Sequence, residues 1–166
     1  MRSGVFLAVA LSVSVACGAV EAKTISKAGL TPAEAAAWLK REGFETKVVK
    51  AESGGFYIDS TYDNGGRFQF FLLDCKQERC LSGQFFTVYT PEVKLTLEAA
   101  NTWNTSNRFV KAHVFSDDGP MVTYDVTLAP GATYASLTDS LEIWLEAAER
   151  FDKLLGEPEP TPSPRP

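Results

Sequence analysis

The sequence predicts an α+β domain, an antiparallel sheet with packed helices in the order α-β-β-β-β-α-β-β-α, and three observations lead there. Aromatic-rich, alternating stretches follow one another between residues 45 and 89, separated by Glu52-Ser53-Gly54-Gly55 and Asp63-Asn64-Gly65-Gly66, clusters that mark tight hairpins. Thr31-Pro32-Ala33-Glu34 combines a capping residue, Pro at the first helical position and Glu three residues after the cap, a helix-start signature. Leu137, Leu141, Trp144, Ala148, Phe151 and Leu155 recur in steps of three and four, close to the 3.6-residue helical period.

In chain order, the first helix runs from Thr31 to a stop at Gly43. Ala35, Trp38 and Leu39 form its narrow apolar face, and Phe44 folds back toward Leu39 as the C-terminal hydrophobic contact. Strands are expected near 45–51, 56–62, 67–74 and 81–89. In the second, Phe56, Ile58, Ser60 and Tyr62 share a face; in the third, Phe68, Phe70 and Leu72 do. Such aromatic stripes read as the core side of a small sheet, because large side chains supply the buried area it needs.

Cys75 and Cys80 flank Lys76-Gln77-Glu78-Arg79, which reads as a four-residue hairpin loop with the cysteines opposed across the ladder. In an exported protein that geometry predicts a disulfide. A structural zinc site wants four ligands, yet His113 is the chain's only histidine. A catalytic dithiol usually has the tighter Cys-x-x-Cys spacing. No cofactor or metal site is expected.

Thr96 then caps a short helix through Asn104, with Leu97, Ala100 and Trp103 at helical spacing. A second hairpin follows: strand 109–115, the turn Ser116-Asp117-Asp118-Gly119-Pro120 and strand 121–128. Val110, Ala112 and Val114 face one way, Lys111 and His113 the other, and Val122, Tyr124, Val126 and Leu128 supply the matching apolar face. His113 is therefore expected to be a solvated sheet residue. Leu145 and Leu154 widen the stripe of the last helix, and Gly156 ends it. Pro158, Pro160, Pro162, Pro164 and Pro166 make residues 157–166 an extended tail without a core.

At the N-terminus, Arg2, an apolar run from Val5 to Ala16 and small residues up to Ala22 give the three-part pattern of a signal peptide over residues 1–22. The run is far short of the roughly 20 apolar residues that cross a bilayer, so the expected location is periplasmic or secreted. Cys17, just after the apolar run, keeps open a lipoprotein anchored through that residue. Loss of residues 1–22 removes only Arg2 and Glu21 from the charged set, leaving the net charge at -5. The basic residues are scattered, which argues against nucleic acid and against an anionic membrane surface. About 144 residues remain, and residues 23–156 suit one domain.

The run Asn101-Thr102-Trp103-Asn104 with Asn107-Arg108-Phe109, the Cys75 and Cys80 loop backed by Leu81 to Phe86, and the hairpin around Asp117-Asp118-Gly119 resemble the YbjN family. These are the bacterial "sensory transduction regulator" domains, whose fold is similar to type III secretion chaperones. The resemblance covers Thr31 to Leu155 and implies that chaperone-like fold without an established enzymatic activity. Where the family usually has a basic residue after the second Asn of the Asn-x-Trp-Asn run, this chain has Thr105.

Asn101, Trp103, Asn104, Asn107, Arg108 and Phe109 are the candidate family-motif or partner-binding residues. Amides and a guanidinium at a helix-to-strand hinge suit either ligand contact or local capping. In the structural reading Trp103 is buried, Asn104 caps or turns the chain, and Arg108 braces a carbonyl or carboxylate. The expected function is an exported, noncatalytic binding or chaperone-like module of the bacterial cell envelope, with a protein or peptide partner docking along a sheet edge or helix groove. A structural or homodimeric accessory protein is the alternative. An enzyme is the least favoured, since Asp117 and Asp118 sit together in a turn, where carboxylates stabilise the turn.

Overall fold

The computed structural model describes residues 23–62, 65–115 and 119–156. Its elements are α1 (Pro32–Arg41), β1 (Glu45–Lys50), β2 (Phe56–Thr61), β3 (Arg67–Lys76), β4 (Arg79–Val88), α2 (Leu97–Ser106), β5 (Lys111–Phe115), β6 (Gly119–Thr127) and α3 (Tyr134–Leu155). The α+β class and the element order are those the sequence predicts. The proposed signal peptide with Cys17, the Pro-rich tail, Asp63, Asn64, Asp117 and Asp118 lie outside the described residues.

Helix α1 begins as its capping box demands. The Thr31 hydroxyl accepts the Glu34 amide and the Glu34 carboxylate accepts the Thr31 amide. It ends in a left-handed Gly43, whose N–H bonds Lys40 O at 3.2 Å while the Phe44 N–H bonds Leu39 O at 3.1 Å. This pair of bonds closes the last turn and turns the chain into β1. The Phe44 ring meets Tyr62 and Phe68.

All strand pairs are antiparallel, and the six strands lie in the order β1-β2-β3-β4-β6-β5. One face of the sheet carries Ile58, Phe68, Phe70, Leu72, Phe85, Val122 and Val126 into a single core. Trp38 and Leu39 of α1, Ala100 and Trp103 of α2, and Leu141, Trp144 and Phe151 of α3 join it there. The faces assigned from alternation in β2 and β3 are the ones observed. Gly83 keeps the middle of the core open for an aromatic side chain, since a Cβ there would stand 2.4 Å from Phe70 Cζ. On the other face Phe86, Val88 and Met121 cluster with Phe71. His113 is exposed on that same face, 3.0 Å from the Thr123 hydroxyl, as expected of a sheet residue.

Four local expectations need correction. The cysteine loop is two residues long, not four, because the ladder continues through Cys75↔Cys80 and Lys76↔Arg79. Gln77 and Glu78 turn the chain in left-handed conformations, φ 49° and 63°, whose twist matches the flanking strands. Strand β5 begins at Lys111, since the Val110 carbonyl is taken by a side chain of α2. Leu97 is 71% exposed and Leu154 49%. Leu95, in the extended segment before α2, holds a buried place near the end of the core that Leu97 was expected to fill.

Candidate functional site

The junction between α2 and β5 is built around three side chains that serve backbone. Trp103 lies edge-on against Phe151, ring centroids 4.9 Å apart, and its indole N–H donates to Val110 O at 3.1 Å. The Asn104 amide group pairs with Ala112 on both sides: Nδ2 donates to Ala112 O at 2.9 Å and Oδ1 accepts the Ala112 N–H at 2.8 Å. Asn107 ends the helix, with its backbone N–H and Nδ2 both donating to Trp103 O, at 2.9 and 3.0 Å. Its Oδ1 accepts from Arg150 of α3 at 3.1 Å. Lys111 Nζ donates to the Asn104 and Asn107 carbonyls, a cation placed where a helix C-terminus favours one.

The remaining candidates face solvent. Asn101 is exposed, and its carbonyl accepts the Thr105 hydroxyl. Arg108 braces no carbonyl or carboxylate among the described residues; its guanidinium lies 5.1 Å from the centroid of the exposed Phe109 ring, which reaches Tyr124 at 5.7 Å. The six residues thus divide in two. Trp103, Asn104 and Asn107 hold the junction, whereas Asn101, Arg108 and Phe109 present uncommitted groups.

Asn104 also decides what the sheet offers at its margins. Strand β5 is an edge, and the outward N–H and C=O of Ala112 would otherwise accept another strand. The Asn104 amide stands in that place, so the middle of the β5 edge is sealed by a side chain acting as a short length of strand. Pro120 faces Val114 across the pair, where its missing N–H takes no bond from β5; toward the end of β4 its carbonyl accepts the Tyr89 N–H at 2.8 Å and no bond returns.

The opposite edge differs. The Ala51 N–H bonds Gly55 O at 2.8 Å and closes the β1–β2 hairpin. Antiparallel alternation then turns the backbone groups of Glu45, Lys47 and Val49 toward β2 and those of Thr46, Val48 and Lys50 outward. Among the described residues no strand lies beyond β1. Lys47 is exposed and Val48 is 42% exposed. Sequence reasoning passed over this edge, although Glu45-Thr46-Lys47-Val48-Val49-Lys50, with four polar residues and two lysines, carries the composition of an edge strand.

Two titratable groups are held by local bonds. Burial lifts the Asp152 carboxyl above its ordinary value, and the Tyr89 hydroxyl that donates to it opposes that rise. The same burial raises the Tyr89 and Tyr62 phenols. Glu34 is held below the usual carboxylate range by the Thr31 amide first, and then by Arg79, whose guanidinium spans both carboxylate oxygens at 3.2 and 3.3 Å. Among the described residues no group of three His, Cys, Asp or Glu side chains is arranged to hold a metal ion, and no helix is long and apolar enough to cross a membrane.

The disulfide joins Cys75 and Cys80, Cα atoms 3.9 Å apart. Cys80 directs both backbone groups to Leu30, accepting at 3.1 Å and donating at 2.8 Å, so the hairpin tip is tied to the segment that leads into α1.

Comparison with known proteins gives one family. The YbjN family model, described as "Putative bacterial sensory transduction regulator", matches residues 31–157. No curated protein and no solved structure matches the chain. The family match takes in every element from α1 to α3, and with them the α2–β5 junction and both sheet edges: this chain belongs to the YbjN family.

Proposed function

We propose that the chain is an exported, noncatalytic binding module of the bacterial cell envelope that takes an extended segment of a protein partner along β1. The observation that carries this reading is the asymmetry of the sheet: Asn104 plugs one edge, and the other presents outward backbone groups. An open edge supplies main-chain hydrogen bonds to any extended peptide, and neighbouring side chains then set preference. The regulator description of the family supports a binding role. Export rests on the N-terminal pattern of residues 1–22 and fits a disulfide between Cys75 and Cys80.

Hydrogen exchange tests the edge. With envelope extract added, the amides of Thr46, Val48 and Lys50 are expected to gain protection while that of Ala112 stays unchanged. Protection confined to Arg108 and Phe109 would instead make the exposed part of the junction the docking site. Fractionation with intact mass tests export, the expected product being an envelope species that lacks residues 1–22.

A further inference from the structure

We propose that residues 1–22, while attached, lie across the face of the sheet opposite the helices and cover its apolar centre, so that their removal on export bares it. Residues of α1, α2 and α3, with Ile25, Leu30 and Leu95 from the segments before the first two helices, all join the core on the other face. The face opposite carries Phe86, Val88 and Met121, a cluster that includes no helix residue.

Those side chains are nonetheless out of water. Phe86 is 1% exposed, and Val88, Met121, Tyr57 and Thr123 on the same face are buried too. A side chain on a bare sheet face keeps its outer end in solvent, because its neighbours on the pleat screen only its flanks. No element among the described residues lies over this face. Gln69 adds a polar demand at the same place. It pairs with Phe86 across the ladder, is buried, and gives Nε2 to Asp59 at 3.1 Å, while its Oε1 has no partner among the described residues. A buried acceptor without a donor is costly, so the cover is expected to bring one.

Composition and tether single out the segment. Residues 63–64, 116–118 and 157–166 consist of polar residues and proline, whereas residues 5–16 form an apolar run of twelve that also carries the Ser12 and Ser14 hydroxyls as donors. Its flanking charges, Arg2 and Glu21, lie outside the run. The Lys23 carbonyl accepts the Tyr134 N–H at 3.0 Å and Thr24 bridges Thr133, which fixes the start of the described chain beyond the end of β6. From Thr127 to Met121 the face extends about 20 Å. Residues 17–22 reach up to about 20 Å when extended, and twelve residues cover about 18 Å as a helix. The run is therefore long enough to lie over Val88 and Met121.

Met121 reports on the cover directly, since Met1 is the only other methionine. The full chain should be made by cell-free synthesis under oxidising conditions without signal peptidase, then treated with dilute hydrogen peroxide, with sulfoxide at Met121 followed by peptide mass. Oxidation is expected to be about tenfold slower than in the full chain carrying Leu7→Asp and Leu11→Asp. Signal peptidase added to the parent should raise the rate to that of the variant. The amides of Phe70 and Phe85, whose side chains lie in the helix-side core, should stay protected from exchange throughout, which separates uncovering from unfolding.

The covering of this face is independent of strand docking at β1, and only the removal step rests on the export reading. A chain that stays unprocessed in the cell but keeps Met121 protected would defeat export and leave the covering intact. Equal rates in parent and variant overturn the proposal: fast rates would mean a bare face, slow rates another cover. Protection that rises with protein concentration and survives both substitutions would make a second copy the occupant, and would also overturn it. Should cleavage unfold the domain, the two substitutions, which lie outside it, still decide.

Discussion

Asn104 shows how much one amide can hold. Its two hydrogen bonds to Ala112 satisfy a donor and an acceptor that no strand reaches, and its own carbonyl receives Lys111. Replacement by Ala leaves both Ala112 groups without that partner, so Asn104→Ala is expected to cost about 1 to 3 kcal/mol in urea denaturation. It should also open the β5 edge, seen as faster exchange of the Ala112 amide. Unchanged stability and unchanged exchange would mean that water replaces the amide at no cost. Asp152 gives a second residue-scale expectation, with a definite sign. A carboxyl raised above its ordinary 3.8 by burial favours the folded state most when protonated, and that contribution fades as pH rises through the folded value. Asp152→Asn keeps an acceptor for Tyr89 without the charge. Its stability relative to the parent should therefore grow between about pH 4 and neutrality, and a gap independent of pH would count against it.

At the scale of elements, the β3–β4 hairpin and α1 act as one joint. Gly29 sits directly on the hairpin, at φ 88°, and a Cβ there would stand 1.9 Å from Cys80 O. Arg79 reaches the Gly29 carbonyl at 2.8 Å as well as Glu34, so the hairpin tip grips the chain on both sides of Thr31, the cap of α1. The ion pair is about a third exposed on each side and contributes modestly. The disulfide closes a loop so short that chain entropy assigns it about 2 kcal/mol. Protein isolated without reductant should accordingly resist thiol alkylation at Cys75 and Cys80. Full reduction should lower stability by about that amount without unfolding the sheet, and two freely alkylating thiols before reduction would contradict the bond.

For the whole molecule, local signals and long-range pairing had different reach. Helix α1 was legible because Thr31, Glu34 and Gly43 act within a few residues of one another. The Cys75–Cys80 hairpin was legible because the strands it joins are adjacent in sequence, although the turn is tighter than four polar residues suggest. Alternation assigned the buried faces of β2 and β3, and the 3.6-residue period assigned α3, since each element's own repeat dictates which side chains meet the core. The reach of that reasoning ended at Leu97 and Leu154, which follow the helical spacing and yet lie exposed.

The sequence by itself determined the α+β class, the order of nine elements, the hairpins and the family resemblance. Tertiary structure alone decided which strands are edges, because β4 pairs with β6 across the whole of α2 and β5, leaving β5 outermost on one side and β1 on the other. It also decided the fate of the junction. An Asn in a sequence offers the same donors and acceptor to a partner or to its own backbone, and only the placement of Ala112 beside Asn104 commits that amide to the fold. Hydrogen bonding is short-ranged and directional, so its partners follow from positions that distant strand pairing sets.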